Sequence, residues 1–173
     1  MMEMRKLRWE DFDDLLELYE TGYTEIKSNK DYGDYVYFKK PKLSFRMEKF
    51  ATDYKNMIKG NILFYVAEVN GKVVGFCVVR KKDIPDSEIS HIGILSIRMA
   101  KEWRGKGIGT KLLKYTISRC KDKFEILEAN VFFFNKTSVS LFKKFGFETW
   151  GTAPRYVKRG KRYIDVEYMS LRL

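Results

Sequence analysis

The sequence predicts an α/β fold: a central mixed, mostly antiparallel sheet flanked by about four helices. Three observations in its 173 residues point there. The hydrophobic period changes near residue 61, from helical spacing to runs rich in β-branched and aromatic residues. Two such runs, "ILFYVAEV" and "KVVGFCVVR", are joined by Asn70-Gly71, a pair that tolerates the positive φ of a tight hairpin turn. Strand, helix and strand then follow one another from 89 to 134, and a right-handed crossover makes the two flanking strands parallel neighbours.

The elements follow in order. "EMRKL" reads as a short strand, Glu3 to Leu7. A helix runs from Glu10 to Lys27, with Phe12, Leu15, Leu16 and Tyr19 at helical spacing and acids in the first turn, where they suit the helix dipole. "NKDYGDYVYFKKP", 29–41, is a tyrosine-rich loop, and residues 42–60 form a second helix closed by Gly60. After the hairpin, 89–100 is a third strand of that block. Residues 107–121 form a helix that turns Leu112, Leu113, Ile117 and Cys120 inward. A strand over 124–134, a short helix over 136–145 ended by Gly146, and strands at 146–151 and 164–173 complete the chain. "RYVKRGKRY", 155–163, reads as a basic hairpin turning at Gly160.

Composition narrows the function classes. The length fits a single domain, 1–173, that can bury a core. At 45% hydrophobic residues the chain is not disordered, and no apolar run reaches the ~20 residues of a membrane span. The N-terminus turns acidic within a dozen residues, unlike a secretory signal. Cys77 and Cys120 lack metal-ligand spacing, and a cytoplasmic protein with reduced thiols is expected. One histidine, His91, makes neither a zinc set nor a histidine-based triad, so no metal is expected. The net charge of +11 favours anionic partners: nucleic acid, a membrane surface or a polyphosphate cofactor.

"EWRGKGIGTKLL" separates these. Gly105, Gly107 and Gly109 lie between a strand ending near Met99 and a helix starting near Gly107. The first N–H groups of a helix are unpaired and carry partial positive charge, which suits a phosphate. Glycines let a diphosphate reach those amides, and Arg104 and Lys106 add charge. The stretch has neither the G-x-x-x-x-G-K-[ST] order of a P-loop nor the G-x-G-x-x-G spacing of a dinucleotide fingerprint. A plain glycine-rich turn before a helix is the structural alternative.

"RGKGIG" as R-x-x-G-x-G, preceded by "IRM" and followed by "TKLL", resembles the acyl-CoA pyrophosphate loop of the GNAT superfamily of N-acetyltransferases. "NKTSVSLFKKFGF", 135–147, is similar to the family's N-x-x-[AS]-x-x-[LF]-[YF]-x-K-x-GF. The two motifs stand in family order and spacing, and the resemblance covers most of the chain. It is nearest in character to small prokaryotic members that acetylate polyamines or protein amines.

The resemblance implies a sheet splayed at its two parallel strands and acetyl-CoA as cofactor. The strand end Ile97, Arg98 and Met99 matches positions that bind the pantetheine arm like an added strand. The amides of Arg104, Gly105, Lys106, Gly107, Ile108, Gly109 and Thr110 match the pyrophosphate site. Asn135, Ser138 and Phe142 match positions along the pantetheine, and Lys144 one near the adenosine. Read by itself, Asn135 is equally a helix N-cap, and Lys144 a solvated helix charge. The Met99 N–H matches the oxyanion donor, and Met99, Asn135 and His91 are the catalytic candidates. Two positions depart from the family pattern. Phe142 stands where many members carry a tyrosine acid, and Gly93 where several carry a base carboxylate. Tyr156, Tyr163 and Tyr168 are replacement acids; His91, Glu88, Glu128 or a water chain are replacement bases.

For the acceptor, Asp31 and Asp34 offer negative charge and Tyr32, Tyr35 and Tyr37 offer faces to a cation. This predicts a cationic amine, such as a polyamine or a lysine side chain. The expected partners are a small-molecule or protein amine, with no membrane, and a homodimer of the kind common in the family. A silent acyl-CoA sensor and a nucleic-acid binder using 155–163 are the alternatives.

Overall fold

The order β1-β2-β3-β4-β5-β7-β6 describes one seven-stranded sheet among the described residues. The structure is a computed structural model, and it describes residues 1–29, 40–82 and 87–173. The strands are β1 (Met2–Lys6), β2 (Ile62–Val69), β3 (Lys72–Lys81), β4 (Ile92–Met99), β5 (Ile126–Phe132), β6 (Glu148–Arg159) and β7 (Arg162–Arg172). The helices are α1 (Phe12–Ser28), α2 (Leu43–Ile58), α3 (Ile108–Ile117) and α4 (Lys136–Lys144). Neighbouring strands are antiparallel except β4 and β5, the parallel pair that the crossover order requires.

β2 and β3 carry continuous apolar runs because both faces are covered. Phe64, Val66, Phe76 and Val78 pack with Leu15 and Leu18 of α1 and Phe50 of α2. The alternate residues Tyr65, Ala67, Cys77 and Val79 pack with Leu112 and Leu113 of α3. Asn70 (φ 51°) and Gly71 (φ 82°) make the turn between them, as the dipeptide predicts. The Asp14 carboxylate accepts from the Val73 N–H at 2.7 Å and fixes α1 to the start of β3.

β4 and β5 pair only from Ile92 with Ile126 to Ile94 with Glu128. Beyond that rung β4 runs on against β3 to Met99, and β5 runs on against β7 to Phe132. The sheet therefore forks. Gly93 sits just below the fork, where a Cβ would lie 2.7 Å from Val79 Cγ1 and 3.0 Å from Leu127 Cδ2. Any side chain there would push the strands apart.

Most element boundaries fall within about two residues of the sequence reading; three places differ more. β4 begins at Ile92, because Ser90 and Ile92 donate backward to Ser87 and Ile89 and hold the preceding residues in turns. α3 ends at Ile117, where bonds from Arg119 to Thr116 and from Cys120 to Ile117 tighten the last turn. The expected strands at 146–151 and 164–173 are parts of one long β6–β7 hairpin, with the 155–163 segment as its tip and Gly160 (φ 62°) in its turn. β6 is bulged between Thr149 and Gly151 and again between Ala153 and Val157. At the second bulge Arg155 takes φ 54°, and its N–H donates to Asp165 Oδ1 at 2.7 Å. No helix among the described residues is long and apolar enough to cross a membrane.

Candidate active site

The hydrogen-bond phase of β4 decides what the fork exposes. The His91 carbonyl accepts from Glu125 on the β5 side, whereas the Ile92 carbonyl accepts from Lys82 and the Ala100 N–H donates to Val74 on the β3 side. Odd-numbered residues thus turn their peptide groups toward β5. Past Ile94 they meet the gap, so Leu95 and Ile97 present backbone donors and acceptors there and Met99 its N–H. Ile97 and Met99 are the two residues of the strand end that the pantetheine expectation concerns. Arg98 is a correction: its peptide groups face β3. Its guanidinium packs over the Tyr19 ring, 5.0 Å from the centroid, on the α1 side of the sheet.

The glycine turn follows directly. Gly105 (φ 73°) and Gly107 (φ 77°) adopt the left-handed region, and a Cβ on either would meet nothing within 4 Å. Their need is backbone conformation with open space above it, which is what a bulky ligand on the amides requires. Gly107 caps α3 without a side-chain bond, no acid stands in the first turn, and the first helical bond runs from Lys111 to Gly107. The N–H groups of Ile108, Gly109 and Thr110 are left pointing outward along the helix axis. Buried Ile108 anchors the helix start, and Gly109 sits beside Met99, where an added Cβ would make an ordinary contact with Cγ at 3.4 Å. Lys106 is exposed over Trp103, 4.6 Å from the ring centroid.

Arg104 has a different role from the one its position in the motif suggests. Its guanidinium forks onto Glu25 of α1 at 2.6 and 3.0 Å, and its Nε donates to the Met99 carbonyl at 3.1 Å. The positive charge is matched by a buried carboxylate, and the side chain clamps the glycine turn to α1 and to the strand end.

The second motif is mostly architecture. Asn135 Oδ1 accepts from the Ser138 N–H at 3.1 Å and caps α4, so that oxygen is committed to the helix. Phe142 is 3% exposed and meets Phe147 edge-on at 5.0 Å. Its ring is core and offers no surface to a ligand, which corrects its assignment to the cofactor. Lys144 is exposed in the last turn of α4, where a cation suits the helix dipole.

The catalytic candidates separate by position. His91 precedes β4 at the closed end of the fork, about 13 Å of strand from Leu95, where the gap begins, and on the α3 side. It cannot reach a reaction in the gap, which corrects its assignment as base. Glu88 is exposed in the turns before β4. Glu128 stands on the last shared rung and holds Lys82 Nζ with both oxygens at 2.8 Å. Tyr168 contacts Trp150 and Tyr156, and hydrogen bonding with Tyr156, more than burial, raises its phenol above the ordinary value. Tyr163 pairs with Lys158 and lies under Arg155, on the other face from Ile164. Asp31, Tyr32, Asp34, Tyr35 and Tyr37 lie outside the described residues.

The sequence reading missed a recess between α1 and α2. Leu15, Phe50 and Phe64 line it together with Tyr19, Arg46 and Asp53. Arg46 lies 4.6 Å from the Tyr19 ring centroid, and Asp53 accepts from Arg80 at 2.8 Å. Tyr19 followed only the core spacing of its helix, so no local signal marked its charged neighbours. Burial raises its phenol. It also pushes the Cys77 and Cys120 thiols up to about 12, so neither is a nucleophile at neutral pH.

A sequence model of the acetyltransferase (GNAT) family matches residues 3–147. The L-amino acid N-acetyltransferase AaaT of Escherichia coli (strain K12) is 30% identical over 107 residues, 61% of this chain and 65% of that protein. An uncharacterised N-acetyltransferase of Methanocaldococcus jannaschii is 31% identical over 161 residues, 92% of this chain and 66% of that protein. The matches span just under two thirds of the length of these curated relatives. Among solved structures, a ribosomal-protein-alanine N-acetyltransferase from Brucella melitensis has a TM-score of 0.80 at 25% identity over 99% of both chains. An acetyltransferase from Salmonella typhimurium, solved with acetyl-CoA, has a TM-score of 0.82 over 99% of this chain and 94% of that one; at 20% identity the likeness is one of fold.

Proposed function

The chain belongs to the acetyltransferase (GNAT) family, and on that premise we propose that it transfers the acetyl group of acetyl-CoA to a primary amine by direct attack in a ternary complex. One observation carries this: a strand edge without a partner strand, Leu95 to Met99, leads straight to a helix N-terminus with no side-chain cap. The edge suits the amide-bearing pantetheine arm as an added strand, and the helix start suits the pyrophosphate. The glycine turn leaves the room the group needs. Acetyl-CoA supplies an activated thioester; the chain supplies position and charge. The open N–H groups of β4, from Leu95 at the fork to Met99, lie along the arm, and those nearest the thioester donate to its carbonyl oxygen as it gains negative charge. Both thiols are buried as neutral groups, so neither serves as the carrier of an acyl-enzyme. The acceptor is a small-molecule or protein amine, and the relatives' names make L-amino acids and protein N-termini worth testing beside polyamines.

Calorimetric titration with acetyl-CoA tests the donor site, using the wild type and Thr110→Glu. A carboxylate in the first turn favours the helix but repels a phosphate, so binding should weaken at least ~10-fold with no loss of Tm. Equal affinity would remove the pyrophosphate from α3. Thiol release is then followed with spermidine, L-methionine, tyramine and an alanyl peptide amide. Acetyl-CoA binding without turnover of any amine would favour a silent sensor.

A further inference from the structure

We propose a base and a specificity-determining aromatic cluster, specific to this chain, on the sheet face opposite α3 and α4. There Glu128 receives the acceptor's primary ammonium and takes its proton, while Trp150, Tyr156 and Tyr168 hold an apolar or aromatic body. The inference rests on the transferase reading above.

Strand register places the groups on one face. Glu128 is level with Ile94 of β4 and Ser170 of β7, and Ile94 is level with Arg80, whose guanidinium reaches Asp53 of α2. Side chains at paired positions share a face, so Glu128 projects on the α1–α2 side. It does so on the last rung before the open edge of β4 begins. One pleat further along, Asn130 is level with Tyr168, about 7–8 Å from Glu128 on the diagonal. The Trp150 ring lies 5.3 Å from that of Tyr168, and the Tyr156 ring meets it edge-on at 6.0 Å. Trp150 and Tyr156 are each 58% exposed. Large aromatic rings gathered in the open beside a carboxylate have the chemistry of an ammonium site.

Lys82 shows the fit. The Glu128 side chain is 12% exposed, yet it keeps a primary ammonium 2.8 Å from both oxygens. Lys82 is 32% exposed and can swing into water. An acceptor ammonium that replaces it keeps the charge balanced. One N–H proton then passes to a Glu128 oxygen and leaves the nitrogen lone pair free. The nitrogen attacks the thioester carbon, the C–N bond forms and the C–S bond breaks. The second nitrogen proton ends on the departing sulfur, and Glu128 returns its proton to solvent. The products are the amide, the free thiol and one proton.

The test compares wild type, Glu128→Gln, Lys82→Met and Trp150→Ala, using whichever amine of the panel above turns over fastest. Glu128→Gln should lower kcat/KM about 100-fold at pH 7, with acetyl-CoA affinity unchanged. The deficit should shrink as pH rises and the amine deprotonates unaided. Lys82→Met should leave KM for the amine at or below the wild-type value. Trp150→Ala should raise that KM several-fold with kcat kept. A Glu128→Gln rate within twofold of wild type across the pH range overturns the proposal. So do equal losses in Glu128→Gln and Lys82→Met, which would make the pair structural. A wild type that turns over no amine defeats the transferase reading itself, and this assignment with it.

Discussion

The sheet on one side of the fork is built differently from the sheet on the other. β2 buries six consecutive residues and β3 seven, because helices lie on both of their faces. β6, at the far end, is exposed or half-exposed at every position. On the face opposite α4, the small cluster of Phe132, Ile164 and Val166 is all that is buried in this second half among the described residues. Stiffness and access are thus given to separate regions that share three rungs. The closed half fixes the β4 edge, which must hold a ligand by its backbone. The open half shows side chains to solvent, where an acceptor can arrive.

Four measurements break or sharpen that contrast. Leu127 is fully buried where the halves join. Leu127→Ala should cost about 2–5 kcal/mol in urea unfolding, from lost burial and a cavity. Gly93→Ala comes next: its Cβ must displace Val79 and Leu127, an overpacking cost of about 1–3 kcal/mol. A Tm equal to wild type would mean that the fork closes without a glycine. The third effect appears only in alkali. Cys77 and Cys120 stay protonated to about pH 12 when folded, against about 9 when unfolded. Their burial leaves stability untouched below pH 9, and stability then falls between pH 9 and 12 as the unfolded chain ionises first. At pH 10 each thiol should cost roughly 1 kcal/mol, and Cys77→Ala should flatten the profile by that much. Smallest is Trp150→Ala, which should change stability by less than about 0.5 kcal/mol. A larger loss would show that the open half also depends on its exposed rings.

What the sequence revealed was local. Asn70-Gly71 announces its hairpin because two adjacent residues carry the whole conformational requirement. The glycine turn and Asn135 are legible for the same reason: a cap and a helix start are short-range structures. What it hid was set by topology. Arg104 reads as a phosphate cation until Glu25, 79 residues earlier, is seen beside it. Gly93 reads as a missing catalytic residue, and its cause is crowding by Val79 and Leu127 from two other strands. The period of two puts His91 on the face of Gly93, but it cannot say which face carries the reaction or where along the strand the pairing ends. Glu128 stood among the candidate bases, yet its place on the last rung depends on the β4–β5 register. Phe142 resembles a cofactor contact by motif, and packing against Phe147 makes it core.

The two bulges of β6 have a consequence for the molecule among its own kind. The last strand of a sheet is a template on which another chain can lay a strand and continue the ladder. Here the ladder is interrupted at Trp150 and again over Pro154 to Tyr156, and proline brings no N–H of its own. An incoming strand would lose register twice within twelve residues. That end of the sheet is therefore a poor seed for fibres and for edge-to-edge dimers.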